Sequence, residues 1–230
     1  MPLAVIYEDN HLLAVAKPAG LLSQGDDSGD LSLVDLARAY LKERYAKPGN
    51  VSVGIVHRLD RNASGVVVLA RTSKAAARLS AGFRDERVDK LYLAVCGGEP
   101  EPPVGTLRHW LAAAGDRQGI TRVASAPFAG ARDSRLDYRV LESSGGHSLL
   151  EVAPITGRRH QIRAQLAAAG HPLLGDVKYG SPRRLPDHRV ALHARRLTIA
   201  HPVGGTELVL ECPLPADWPW PVPAARQEQR

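Results

Sequence analysis

The stretch His57-Arg58-Leu59-Asp60-Arg61-Asn62-Ala63-Ser64-Gly65, followed by Val66-Val67-Val68-Leu69-Ala70, decides how this chain reads. It places one carboxylate in a short polar loop. Val51, Val53, Ile55 and Val56 stand before the loop, and the Val-rich run stands after it. Both runs read as buried strands. Asn62, Ser64 and Gly65 are turn-making residues. Arginines stand on either side of Asp60; opposing charge keeps a carboxylate ionised, and flanking strands hold it still. Those are properties of a catalytic acid. The same loop also fits an Asp that only caps a turn, and these residues alone leave both readings open.

Four further segments join it in order. They are Tyr7-Glu8-Asp9 through Lys17-Pro18-Ala19-Gly20-Leu21; Lys90-Leu91-Tyr92; Thr156-Gly157-Arg158-Arg159-His160-Gln161-Ile162-Arg163; and Gly170-His171-Pro172-Leu173-Leu174-Gly175-Asp176 with Tyr179-Gly180. Together the five resemble the motifs of the RluA-type pseudouridine synthases, whose signature is written His-Arg-Leu-Asp-x-x-Thr-Ser-Gly. One position departs: Ala63 stands where Thr is usual. The departure touches a local hydrogen bond and leaves the aspartate, serine and glycine in place. The matching segments span most of the chain.

The resemblance implies an α+β fold, the pseudouridine synthase fold. This is a mixed, mostly antiparallel, bent sheet with flanking helices and a central catalytic cleft that holds Asp60. It implies isomerisation of specific uridines in structured RNA, with ribosomal RNA slightly favoured over transfer RNA. The N-glycosidic bond breaks, the uracil turns, and its carbon 5 bonds to the same ribose. No redox step or group donor is required, so no cofactor is expected. Asp60 either adds to the sugar or base, or takes a proton from the ribose. Arg163 supplies the stabilising charge. Tyr92 stacks on the uracil and helps to move the carbon 5 proton. The target is flipped out of its stack, and Arg58 fills the vacated space. His57, Arg61, Lys90, Arg158, Arg159, His160 and Gln161 complete the expected RNA-facing set. The alternative is a non-catalytic RNA-binding or RNA-folding protein on the same scaffold. Such a protein would be expected to lose the Asp or Tyr, and Asp60, Tyr92 and Arg163 are all present. Residues 1–212 read as the catalytic domain and 213–230 as a loosely packed Pro/Trp-rich tail. Many family members carry a small helical RNA-binding domain ahead of the catalytic one. The first motif begins almost at Met1, so none is expected here.

Composition points the same way. Net charge is +6 and the pI about 9.6, which favours an anionic partner, nucleic acid first. A basic enzyme with no such partner would have the same balance. Hydrophobic and charged fractions of 44% and 23% are those of an ordinary globular chain. Cys96 and Cys212 stand far apart with no C-x-x-C pair, so neither a disulfide framework nor a zinc site is indicated. His57, His160 and His171 belong to no metal-binding spacing, and no metal is expected. There is no signal-peptide pattern and no apolar run of membrane-spanning length. A monomer in the cytoplasm is expected.

Taken in order, Leu3–Tyr7 and Leu12–Ala16 read as a hairpin around Glu8-Asp9-Asn10. Ser32 to Tyr45 reads as a helix opened by a capping box of Ser32 with Asp35. Its buried face would be Leu33, Leu36, Ala37, Tyr40 and Leu41. Ser73 would cap a second helix to about Glu86, burying Ala76, Ala77 and Leu79. Lys90 to Cys96 reads as a strand and Gly97 to Gly105 as a loop. From Arg108 to Arg135 the pattern is weak, and irregular strands with a loop are expected. Arg108, Arg117, Arg122, Arg132 and Arg135 there would either meet a phosphate backbone or form a solvated insert. Leu136–Leu141 and Ser148–Val152 read as a second hairpin. A third helix is expected from about Arg158 to Ala169, with Ile162, Leu166 and Ala169 as its stripe. Arg and His at its start oppose the helix dipole, which implies an anion there: a protein carboxylate or an RNA phosphate. Val190–Ile199 and Glu207–Glu211 close the sheet.

Overall fold

The computed structural model describes residues 2–46, 48–115 and 119–220. Along the chain run β1 (Ala4–Glu8), β2 (Leu12–Lys17), α1 (Leu33–Arg44), β3 (Gly54–Ile55), β4 (Ser64–Ala70), α2 (Ser73–Arg84) and β5 (Asp89–Gly97). Then come β6 (Val104–Ala113), β7 (Thr121–Ala124), β8 (Arg132–Ser144), β9 (His147–Pro154), α3 (Gln161–Ala168), β10 (Leu192–Ala200) and β11 (Glu207–Glu211). The sheet order is β1-β2-β4-β10-β5-β9-β8-β6-β7, with β3 also on β4 and β11 on β10. This is the expected mixed, mostly antiparallel α+β arrangement. Every pairing between these strands is antiparallel except β10 with β4.

That one parallel contact joins only His193 to Ser64 and Ala194 to Gly65, where the Asp60 loop enters the sheet. Gly65 has φ of +125°, and a Cβ on it would stand 2.4 Å from both the backbone N and O of Ala194. No side chain fits such an approach. Gly65→Ala is therefore expected to lower the unfolding free energy by about 1–3 kcal/mol or more. A urea midpoint unchanged from wild type would show that the two strands are free to separate at this point.

β4 is buried at all seven positions, which is why it reads as an unbroken apolar run. α1 opens with the expected capping box, Ser32 and Asp35 each accepting from the other's backbone N–H. Two large apolar clusters, with a smaller third around Trp220, form the core among the described residues. One gathers α1, α2, β2 and β4; the other gathers β5, β8, β9 and α3. The Asp60 loop lies at their junction. Leu59 is buried in the first cluster and Ala63 in the second, while Tyr92 packs against both. Burying a residue of leucine size is worth about 1.5–3 kcal/mol, so the loop is anchored at both ends.

Several expectations are corrected. The strand before the loop is only Gly54–Ile55, and residues 56–60 belong to no strand. Thr72 rather than Ser73 caps α2; Ala75 and Leu79 are its buried positions, and Ala77 is exposed. Residues 104–113 and 132–135 form a regular ladder with β7 rather than an irregular insert. Their alternation was masked because the inward face of β6 carries Gly105 and His109 beside Leu107 and Leu111. Pairing of Arg108 with Arg135, Trp110 with Asp133 and Ala112 with Arg122 puts those arginines on one face, while Arg132 pairs with Leu111 on the other. Arg117 lies outside the described residues. α3 starts at Gln161, not Arg158, and Ala169 is its exposed C-cap. In the tail expected to be loosely packed, Trp220 is buried against Val95, Leu149 and Ala191, and its Nε1 donates to Glu142 at 3.1 Å. Residues 221–230 of that tail lie outside the described residues.

Candidate active site

Asp60 sits in the turn that leads into β4; Ala63 N–H closes the turn on the Asp60 carbonyl at 3.1 Å. Its carboxylate is part-exposed, at 24%, so it is both held and reachable. Arg163 Nη1 donates to Oδ2 at 2.8 Å. The other edge of the same guanidinium forms a fork with Asp176, Nε to Oδ2 at 2.6 Å and Nη2 to Oδ1 at 2.9 Å. Arg163 and Asp176 are 5% and 1% exposed, so this pair is fixed well below the surface. Burial works against the Arg163 charge, but the bonds and charges of Asp176 and Asp60 overcome it and raise its pKa. The anion expected at the start of α3 is thus a protein carboxylate, supplied twice.

Three more side chains stand around the Asp60–Arg163 pair. Tyr92 on β5 is close enough that the Asp60 charge adds to burial in pushing its phenol pKa up. His160 Nε2 lies 3.9 Å from Asp60 Oδ1. Tyr179 places its ring 5.1 Å from the Arg163 guanidinium carbon. Below the loop, the buried Lys17 donates from Nζ to the carbonyls of Pro18, Leu21 and Arg61 at 2.9, 2.8 and 3.1 Å. Burial pushes its ammonium down to about 7, and Asp60 pulls the other way. Three carbonyls each require a proton from Nζ, so the site holds it as the three-proton cation and ties down the residue next to Asp60.

The remaining predicted residues divide. Lys90, Arg158 and Arg159 gather at the segment leading into α3. Lys90 Nζ donates to Thr156 O at 3.2 Å, Arg158 Nε to Asp133 O at 3.3 Å, and Arg159 is exposed. Arg58 is exposed, with no ion-pair or hydrogen-bond partner for its side chain among the described residues. Arg61 is exposed but engaged with Asp30 at 2.8 Å and Gly20 O at 3.0 Å. His57 and Gln161 are spent on the protein. His57 Nε2 accepts from Val68 N–H at 2.9 Å and the ring stacks on Phe83; burial, then Lys90, holds its pKa down at about 3. Gln161 is buried, accepts from Thr156 Oγ1 and Arg158 N, and donates to Arg135 O.

Lys17, Asp176 and Tyr179 were not read from the sequence as site residues, although each lies within a quoted motif. Their only signal was position: a lysine between a buried strand and Pro-Ala-Gly, and an acid and a tyrosine in a Gly-bounded turn. Among the described residues no three His, Cys, Asp or Glu side chains are arranged to hold a metal ion. None of the described helices is long and apolar enough to cross a membrane.

A family profile of RNA pseudouridylate synthases matches residues 11–168. An uncharacterized RNA pseudouridine synthase of Synechocystis is 37% identical over 228 residues, 94% of this chain and 67% of the relative. Ribosomal large subunit pseudouridine synthase D of Pseudomonas aeruginosa is 34% identical over 252 residues, 99% of this chain and 73% of the relative. Among solved structures, human RNA pseudouridylate synthase domain containing 4 matches with a TM-score of 0.76 at 27% identity. That match covers 93% of this chain and 89% of the human one.

Proposed function

This chain belongs to the RNA pseudouridylate synthase family, a family of isomerases, and from that premise we propose that it converts specific uridines of structured RNA to pseudouridine through Asp60. The observation that carries the assignment to Asp60 is its bond to Arg163. A reachable carboxylate has one oxygen fixed by a buried arginine that is itself locked by Asp176. Such a carboxylate is already oriented before substrate arrives. In the proposed reaction the bond from ribose C1′ to uracil N1 breaks and the bond from C1′ to uracil C5 forms. The C5 proton is lost to water and N1 takes one up, so the net change is an isomerisation. Asp60 attacks or takes a ribose proton, and Arg163 balances its charge. Tyr92 packs against the uracil and assists the C5 proton transfer.

Ribosomal RNA is the proposed substrate ahead of transfer RNA, in the cytoplasm; the relatives named as acting on the large ribosomal subunit support that order. Lys90, Arg158 and Arg159 would meet phosphate at the segment leading into α3, with Arg61 beside them. Mapping of pseudouridine across total RNA from cells with and without this protein tests the reading. Sites that disappear from ribosomal RNA and return with the gene support it. Losses in transfer RNA alone would replace the substrate, and no loss in any RNA would count against the function.

Arg58 is the proposed wedge. Extruding a stacked base costs a few kcal/mol, and a planar guanidinium placed in the gap recovers part of it. Arg58→Ala is expected to slow single turnover strongly on a folded stem-loop and much less on a short RNA whose target is already unstacked. An equal loss on the two RNAs would mean that Arg58 acts on phosphate or on Asp60 instead.

A further inference from the structure

His160 has an unusual setting. It is the N-cap of α3, yet its backbone is left-handed, with φ of 52° and ψ of 21°, and its side chain makes no cap hydrogen bond. Asn, Asp and His are the residues with a Cβ found most often in that backbone, and of these Asn and Asp are the better caps. The imidazole is instead bonded at Nδ1 and faces a carboxylate with Nε2. Nδ1 lies 2.8 Å from the Tyr179 hydroxyl, and Nε2 faces Asp60 Oδ1 at 3.9 Å. The side chain is only 10% exposed.

The neighbours decide which nitrogen carries the proton. Tyr179 Oη already accepts the N–H of Thr121 on β7, at 2.8 Å. Its own hydroxyl proton then has one acceptor at hand, Nδ1 of His160. A proton on Nδ1 would leave the tyrosine hydroxyl proton with no acceptor among its bonded neighbours and turn a bare Nε2 lone pair toward a carboxylate. A proton on Nε2 avoids both costs. The charged groups around the ring are Asp60 from the β4 turn, Arg159 and Arg163 from the α3 segment, and Lys178 after it. Burial comes first among the effects on the ring, and with the three cations it outweighs Asp60 and keeps the ring neutral, at about 4.

We propose that His160 is a positioning residue for Asp60: a neutral imidazole, fixed by Tyr179 as the Nε2–H form, that donates toward Oδ1 while Arg163 holds Oδ2. The carboxylate is then gripped at both oxygens. A distance of 3.9 Å is too long for a bond, but catalytic hydrogen bonds are often long before substrate binds and tighten on binding. The chain of donors begins on β7, where Thr121 also donates from Oγ1 to Arg159 O at 3.0 Å, so the β6–β7 hairpin is mechanically joined to the orientation of Asp60. This inference rests on the proposed role of Asp60.

Substitutions at His160 separate it from a purely structural role. Gln carries an amide N–H near the place of Nε2, and Asn carries one near the place of Nδ1. His160→Gln is expected to keep most of the single-turnover rate. His160→Asn and His160→Ala are expected to lose about tenfold or more, the worth of one hydrogen bond to a charged group, with RNA affinity unchanged. A backbone role predicts the reverse order, because Asn suits the left-handed cap and Gln does not. Tyr179→Phe keeps the ring beside Arg163 and removes the hydroxyl; it should cost a similar factor. Nitrogen NMR of histidine-labelled protein gives a direct reading. The signals that vanish in His160→Gln should be those of a neutral ring protonated at Nε2 at pH 7, and Tyr179→Phe should disturb them. A charged ring, an Nδ1–H form, or Asn outperforming Gln would overturn the proposal. If Asp60→Asn stays active, the proposed function fails instead; if Asp60→Asn is inactive and only the His160 order is reversed, the failure belongs to this inference alone.

Discussion

Asp60→Asn is expected to lower the single-turnover rate of pseudouridine formation at least about a hundredfold, the low end for losing an acid–base group. RNA affinity should stay within a few fold. The substitution keeps the shape of the side chain, and Asn still offers an oxygen to Arg163 Nη1, now 2.8 Å from Oδ2. The Arg163–Asp176 fork is untouched, so the fold should hold. Only the negative charge is lost. Binding to RNA is carried mainly by cations against phosphate, and none of those is changed. Rate and affinity measured on one stem-loop RNA check both halves. Retention of more than a hundredth of the wild-type rate would remove Asp60 from the role of nucleophile or base.

Arg163→Met is expected to damage turnover far more than RNA binding. It deletes the cation that faces Asp60 and leaves Asp176, at 1% exposure, as a buried carboxylate without its partner. Breaking a buried pair in this way costs about 3–5 kcal/mol of stability. The double variant Arg163→Met with Asp176→Asn removes the stranded charge. It should regain much of the stability and none of the rate. Chemical denaturation and single-turnover kinetics on the two variants make the comparison. Collapse of RNA affinity with the rate preserved would make Arg163 a phosphate contact.

Much of this site can be read from residues near each other in sequence. The Asp60 loop announces itself by a charged, turn-forming segment against an unbroken apolar strand, and α1 by its Ser32–Asp35 cap. Contacts that cross the sheet leave no such mark. Lys17 looks like an ordinary lysine before a proline, and only the fold shows it buried under the Arg61 carbonyl. Asp176 lies 13 residues beyond Arg163 in a segment with no periodicity, so its role as partner was not visible. The start of α3 was placed three residues early because the left-handed backbone at His160 leaves no trace in the side-chain pattern. The regularity of β6 does not show in the sequence because its inward face mixes Gly105 and His109 with leucines. Gln161 and His57 resemble RNA-facing polar residues in sequence, but backbone partners on β8 and β4 claim them.

Release of tritium from RNA labelled at uridine carbon 5, followed with purified protein in excess chelator, tests the central claim most directly. The exchange requires that the C5 hydrogen leave as the new carbon–carbon bond is completed. Release from the wild-type protein is expected in step with the pseudouridine formed, and none above background from Asp60→Asn at equal RNA occupancy. Release that persists in Asp60→Asn, or its absence from wild-type protein bound to its RNA, would contradict it.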